Sequence, residues 1–283
     1  MPATHDQARP TAAYAGCMPS NISVDIADGI ADVRLDRPDK LNGLTMQMLT
    51  GLAGAAHRLR SDRSLRAVIL SGTGDSFCAG LDFKAVSENP RQIPMGMIPR
   101  PTRGTNAFQE ACWAWRRVPV PVIAAIHGHC YGGGVQIALG ADLRVTAPDA
   151  KWSVLEGKWG LIPDMTGVRA LAELVGIETA KRLTMTAEVI SGEEAARLGL
   201  VGQVSERPYD DARALAETLT QRSPDALAAA KRLFDTTWNA SPRHTFARER
   251  WEQIRLLRGA NSKIARSAGL KREAPVFRQR STR

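Results

Sequence analysis

Residues 126–142, IHGHCYGGGVQIALGAD, constrain this chain more tightly than any other stretch. An apolar run at 121–126 enters glycines at 128, 132, 133 and 134, and an amphipathic helix opens directly behind them. Three consecutive glycines remove every Cβ at one point, so a ligand can lie against bare backbone. A helix starting there leaves its first N–H groups unpaired and turns the positive end of its dipole toward the same place. Such a turn holds a negatively charged oxygen well. The stretch also reads as a tight strand-to-helix turn whose glycines serve packing alone.

The rest of the chain supplies the frame. Residues 23–35 alternate apolar and polar around Asp28-Gly29, a hairpin signal. RPDKLNGL at 37–44 breaks the strand with proline, and Thr45 is placed to cap a helix reaching about Arg60. RAVIL at 66–70 predicts a buried strand, and SGTGDSFCAGLD at 71–82 is a second glycine-punctuated loop where backbone meets a ligand. Residues 88–105 hold four prolines and no period. They read as a lid or pocket wall lined by Met95, Met97 and Ile98, or as a plain flexible insertion. A helix with Trp113 and Trp115 is expected over 106–118, then strands at 121–126, 142–146 and 152–154. A turn-rich passage over 157–168 leads into a helix through Val175. Ser191-Gly192-Glu193-Glu194 has the form of a capping box for a helix to Leu198, and 200–204 is the last strand. Only helices follow, at about 209–222, 224–238 and 243–258.

This pattern predicts an α/β core over residues 21–205 and a helical C-terminal region, 206–283, that packs on its own sheet or on a neighbouring subunit. Residues 1–20 lack the basic start and apolar core of a signal peptide and read as a disordered extension, with Met18 an alternative start. No run approaches eighteen apolar residues, so no membrane span is expected. The four cysteines, 17, 78, 112 and 130, show no CxxC spacing; free thiols in a reducing cytoplasm, with no metal, are expected. A net charge of +9 suits nucleic acid or a polyanionic small molecule. The basic residues are scattered, however, and the richest run, 271–283, reads as a solvated end, so nucleic acid is the less favoured partner.

Five stretches together resemble the crotonase superfamily, the enoyl-CoA hydratase/isomerase family. They are VRLDRPDKLNGL at 33–44, AVILSGTGDSFCAGLD at 67–82, PVPVIAAIHGHCYGGGVQIALGADLRV at 119–145, WSVLEGKWGLIPDMTG at 152–167 and ISGEEAARLGLVGQV at 190–204. The resemblance runs from about residue 22 to 240. It implies an α/β, crotonase-like spiral of ββα units, a homotrimer or a dimer of trimers, and acyl-CoA thioester substrates. Coenzyme A then arrives with the substrate, and no cofactor is permanently bound. The family's shared chemistry is stabilisation of a thioester enolate by two backbone N–H groups. These match Leu81 and Gly133, with Gly132 beside the latter. Ala79 matches the position that accepts the adenine ring. Lys84 lies near a basic residue for the CoA phosphates and reads equally as a solvated surface charge.

The side chains separate the members. Hydratases carry two glutamates; the first position is Gln136 here and the second is Glu156. Glutamine hydrogen-bonds a water but does not take its proton at neutral pH. Asp164 follows Glu156 by eight residues, and this pair resembles that of dienoyl-CoA isomerases, which also carry an aspartate at position 136. Monofunctional enoyl-CoA isomerases work with one carboxylate at the Glu156 position. A buried Glu156 is expected to have its pKa raised toward that of a general base. Asp164 has a second reading, as cap of the helix near Thr166. His127 and His129 alternate, so at most one faces a pocket; both read as satisfied turn histidines, and Trp152 and Trp159 as packing. The expectation is therefore a double-bond isomerase with Glu156, Asp164, Gln136, Leu81 and Gly133 in the chemistry. Two alternatives stand: hydration by Glu156 with Gln136 orienting water, and an RNA- or CoA-binding protein without catalysis. No Ser/His pair sits at the glycine turn, which excludes a serine hydrolase.

Overall fold

In the computed structural model, which describes residues 21–281, β1 (Ile22–Ala27) and β2 (Ile30–Leu35) form the hairpin that the alternation predicts. Asp28 and Gly29 take φ of 53° and 76°, the paired positive values that a two-residue turn between twisted strands requires. The expectations for residues 1–20, Met18 and Cys17 lie outside the described residues. A 3-10 turn, Pro38–Lys40, leads to α1 (Met46–Ser61), whose N-cap Thr45 accepts the Met48 N–H. Then come β3 (Ala67–Gly72), α2 (Phe83–Ser87), α3 (Gln92–Met97) and α4 (Ala107–Arg116), the last opened by a reciprocal box of Asn106 and Gln109. β4 (Val122–Ile126), β5 (His129–Tyr131) and α5 (Gly133–Leu139) carry the glycine turn. β6 (Leu143–Thr146), β7 (Lys151–Ser153), a 3-10 turn Leu155–Trp159, α6 (Gly167–Leu174), α7 (Ile177–Thr186), α8 (Gly192–Arg197) and β8 (Gln203–Val204) complete the core. Four helices follow: α9 (Pro208–Thr220), α10 (Pro224–Thr237), α11 (Pro242–Arg258) and α12 (Ala260–Lys271).

The main sheet has the order β1-β2-β3-β4-β6-β8 and is parallel from β2 onward. β5 and β7 pair in parallel in a second, small sheet, and the backbone of Cys78 forms a parallel β-bridge to that of Cys130 in β5, both thiols being free. Successive turns of chain thus lay a strand in the main sheet (β3, β4, β6) and then a segment in the small one (Cys78, β5, β7). This coiling is the expected spiral. Both faces of the central parallel strands β3 and β4 are buried. Val68, Leu70, Val122 and Ala124 face the larger core with α1 and α4, while Ile69, Ile123 and Val145 face Ala212 and Ala216 of α9.

Several elements depart from the expectation. The passage 88–105 contains α3: Pro94 falls in its first turn, where a missing N–H breaks no helical hydrogen bond. Met95 and Ile98 are largely exposed rather than lining a pocket. Ser191 caps α8 by accepting the Glu194 N–H, but the Glu194 carboxylate pairs with Arg197, so no capping box forms. The last strand is two residues long. α7 and α12 had no clear signal. The tail is docked rather than solvated: Asp225 accepts from the Ser281 N–H and hydroxyl, Asn261 holds Arg278, and the fully buried Arg280 donates to the Asp62 carbonyl. Among the described residues, no helix is long and apolar enough to cross a membrane.

α10 is fixed to the core by Lys231, which donates to the carbonyls of Trp115 and Val120 and pairs with Asp142 at 2.7 Å. Its neighbour Asp235 has a buried Oδ2 with no partner, and burial, helped by Asp142, pushes its pKa up to about 6. Between the unfolded value near 4 and about 6, the folded chain keeps a proton that the unfolded chain releases, so this group's contribution to stability falls as pH rises through that window. Asp235→Asn should raise Tm at about pH 8, with a gain that shrinks at about pH 4.5. Equal gains at both pH values, measured by thermal unfolding, would refute the assignment.

Candidate active site

Two glycine turns meet at the site. In the first, Leu44 donates to the Gly80 carbonyl and accepts from the Asp82 N–H, a parallel bridge to Leu81. Such a bridge leaves the Leu81 N–H on the edge turned away from residue 44. Among the described residues it donates to no acceptor. In the second turn, Gly132 takes φ 50° and ψ −115°, open only to glycine, and Gly133 begins α5 with its N–H likewise free of a protein acceptor. The turns touch: a Cβ on Gly80 would lie 3.0 Å from the Tyr131 carbonyl oxygen and 3.9 Å from Gly132 Cα. A Cβ on Gly134 would lie 2.6 Å from the Cys78 carbonyl oxygen. The Tyr131 N–H donates to Cys78 and the Cys78 N–H to His129, which tie the turns together at 2.9 and 2.8 Å.

The first turn is braced by RPDKLNGL. Asn42 is fully buried, donates to the carbonyls of Thr73 and Ser76, and accepts from the Arg37 N–H. Arg37 pairs with Asp82 at 2.7 Å, and Asp82 caps α2 through the Ala85 N–H. These supports were not singled out from the sequence, although Asn-Gly after a proline break signalled a special backbone there. Ala79 is half-buried, with its N–H on the Leu41 carbonyl, and Lys84 is exposed on α2. His127 and His129 turn away, to the Gly74 carbonyl and the Ser76 hydroxyl. Trp152 is buried and donates to Thr146. Trp159 is exposed, its ring 4.9 Å from that of Phe83, across the opening between α2 and the 3-10 turn.

Glu156 sits on that 3-10 turn, buried beside the glycines; a Cβ on Gly132 would lie 3.4 Å from its Oε1. Oε1 accepts from Gln136 Nε2 at 2.6 Å, while Oε2 is buried with no partner among the described residues. Burial pushes the Glu156 carboxyl above the usual carboxylate range; the Gln136 hydrogen bond lowers it, and the charge of Asp164 raises it. Asp164 is half-buried and is also raised by burial. Desolvation pushes the buried Cys112 thiol of α4 up, with Cys78, Asp164 and Glu156 adding to it.

Gln136 differs from the expectation. Its Oε1 accepts from the N–H groups of Met165 and Gly167, each at 2.8 Å, and its Nε2 is on Glu156. Two donors at the oxygen fix the amide orientation, and the side chain is 2% exposed. It therefore links Glu156 to the 163–167 turn. Asp164 does not cap α6 either: Thr166 occupies the cap position, and no side chain caps that end.

The family model described as enoyl-CoA hydratase/isomerase matches residues 25–279. The chain is 33% identical to (E)-benzylidenesuccinyl-CoA hydratase of Thauera aromatica over 74% of its length and 80% of that protein. It is 35% identical to carnitinyl-CoA dehydratase of Salmonella enteritidis PT4, over 74% of this chain and 77% of the relative. The solved enoyl-CoA hydratase of Mycobacterium tuberculosis H37Rv superposes with a TM-score of 0.80 at 31% identity, covering 92% of this chain and 99% of that one.

Proposed function

The chain belongs to the enoyl-CoA hydratase/isomerase family, and on that premise we propose that it moves a double bond along an acyl-CoA thioester. The N–H groups of Leu81 and Gly133 hold the thioester oxygen as it becomes an enolate, and Glu156 Oε2 takes the proton from the adjacent carbon. Glu156, or Asp164 across the pocket, returns a proton at the distant carbon. The observation that carries this reading is the state of Gln136. At the place of the first hydratase glutamate stands a neutral amide, which takes no proton at neutral pH, with Nε2 donating to Glu156 and its oxygen accepting from two N–H groups. The pair of glutamates that serves a hydratase is thus reduced here to Glu156, whose Oε2, without a partner among the described residues, lies beside the glycine turn. Ala79 and Lys84 are read as contacts of the adenine and phosphates. The exposed Phe234, Trp238, Phe246, Trp251 and Ile254 support reading residues 206–283 as the surface on which a trimer, or a dimer of trimers, assembles.

The test is separate incubation with 3-enoyl-CoA, 3,5-dienoyl-CoA and 2-enoyl-CoA. Double-bond movement should dominate, and its kcat/KM should fall as pH drops through the raised pKa of Glu156, because only the deprotonated carboxylate accepts a proton. Efficient water addition to 2-enoyl-CoA without double-bond movement would sink the isomerase reading. A second reading, hydration with Glu156 as the only acid–base group, draws support from the hydratase and dehydratase names of the relatives. It predicts that second outcome.

A further inference from the structure

We propose that Gln136 is a positioning residue that sets both carboxylates of the site with a single amide. Its Nε2 orients Glu156, and its Oε1 pins the turn that carries Asp164. This rests on the reading of Glu156 as the base. The donor end holds Oε1 at 2.6 Å and so leaves Oε2 as the one oxygen able to accept a proton. The acceptor end takes the N–H groups on either side of Thr166. Thr166 has φ 76° and ψ 5°, the left-handed region, where a β-branched residue is a genuine outlier. Such a conformation persists only where the surroundings over-determine it. Here the surroundings are one oxygen receiving both flanking N–H groups. Glycine at 167 makes the arrangement fit, since a Cβ there would lie 2.6 Å from that oxygen. Release of the pin lets Thr166 return to an ordinary φ, and Asp164, two residues earlier, moves with the turn.

The experiment follows trans-hex-3-enoyl-CoA in D2O and counts double-bond movement together with deuterium uptake at the α- and γ-carbons of recovered substrate and product. This sum, taken as the exchange, reports proton removal whether the base hands the same proton to the γ-carbon or trades it with solvent. Wild type, Gln136→Met and the double variant Gln136→Met/Thr166→Gly are compared across pH, with folding checked by circular dichroism. Methionine keeps the length and removes both hydrogen-bonding ends. Gln136→Met should lower the exchange kcat roughly 100-fold, the scale of a small misplacement of a catalytic group, with KM nearly unchanged. Its acid limb should move to higher pH, because Glu156 loses the bond that favours its charged form; the other titratable groups acting there, Asp164 and Cys112, remain. Thr166→Gly, which needs no pin to hold a positive φ, should recover at least about ten-fold of that loss. A Gln136→Met variant that keeps nearly wild-type exchange would overturn the inference. So would a loss that neither shifts the pH profile nor responds to Thr166→Gly, the signature of a merely structural residue. Absence of both double-bond movement and deuterium uptake in wild type would instead remove Glu156 as base and take this inference with it.

Discussion

Replacing Glu156 by glutamine should lower kcat for α-proton removal by about a thousand-fold, within the range for loss of a positioned general base, and leave acyl-CoA affinity within a few-fold. The substitution is isosteric, so the cost is chemical. Glu156 Oε1 already accepts from Gln136 Nε2. A glutamine at 156 satisfies that donor with its own oxygen, which turns its NH2 into the place of Oε2. A donor then stands where the proton acceptor stood. Among the described residues, the three atoms nearest a Cβ at Gly132 all belong to the Glu156 carboxylate, and Asp164 is held on a different turn. The measurement is single-turnover proton exchange together with a binding isotherm for a saturated acyl-CoA. A drop of less than about ten-fold would place the base elsewhere, with Asp164 the first alternative. The result tests the base independently of whether the proton is lost on the way to isomerisation or to dehydration.

The parts of this site that could be read from the sequence are those carried by local backbone chemistry. Runs of glycine announce approachable backbone at 132–134 and at 80, and a carboxylate between a strand and a turn stands out at 156. The parts that could not be read depend on contacts across long separations. Gln136 meets the N–H groups of residues 165 and 167 only because α5 and the turn before α6 pack together, and no pattern within either segment encodes that meeting. The same limit hid β5: three residues inside a glycine turn become a strand only when β7 comes alongside. It also hid the docked tail, where a basic run looks solvated until α1 offers the carbonyl of Asp62 to Arg280. The helix α3 was missed for a different reason, since a proline in the first turn is harmless yet weighs against a helix in any count of breakers.

Gly134→Ala should cost about a hundred-fold or more in kcat, the scale of losing one donor to a developing oxyanion, although residue 134 supplies no donor itself. The added methyl would lie 2.6 Å from the Cys78 carbonyl oxygen and 2.8 Å from its Cβ. Backbone has little room to yield, and this backbone is the seam: the same Cys78 carbonyl accepts the Tyr131 N–H, and the Cys78 N–H donates to His129. Forcing the seam open separates the turn bearing Leu81 from the turn bearing Gly133. Gly133→Ala makes the sharper control. There the added methyl would meet Leu44 Cδ1 at 2.8 Å and Met165 Sδ at 3.1 Å, the ends of flexible side chains that rotate aside while the N–H stays in place. If the N–H pair of residues 81 and 133 is what stabilises the enolate, the variant that moves backbone must lose far more kcat than the variant that moves only side chains. Tm values alongside separate lost register from lost folding, with a core overpacked by one methyl costing roughly 1–3 kcal/mol. A folded Gly134→Ala enzyme with kcat near that of Gly133→Ala would mean that the spacing of the two turns does not govern the chemistry, and the enolate would need another source of stabilisation.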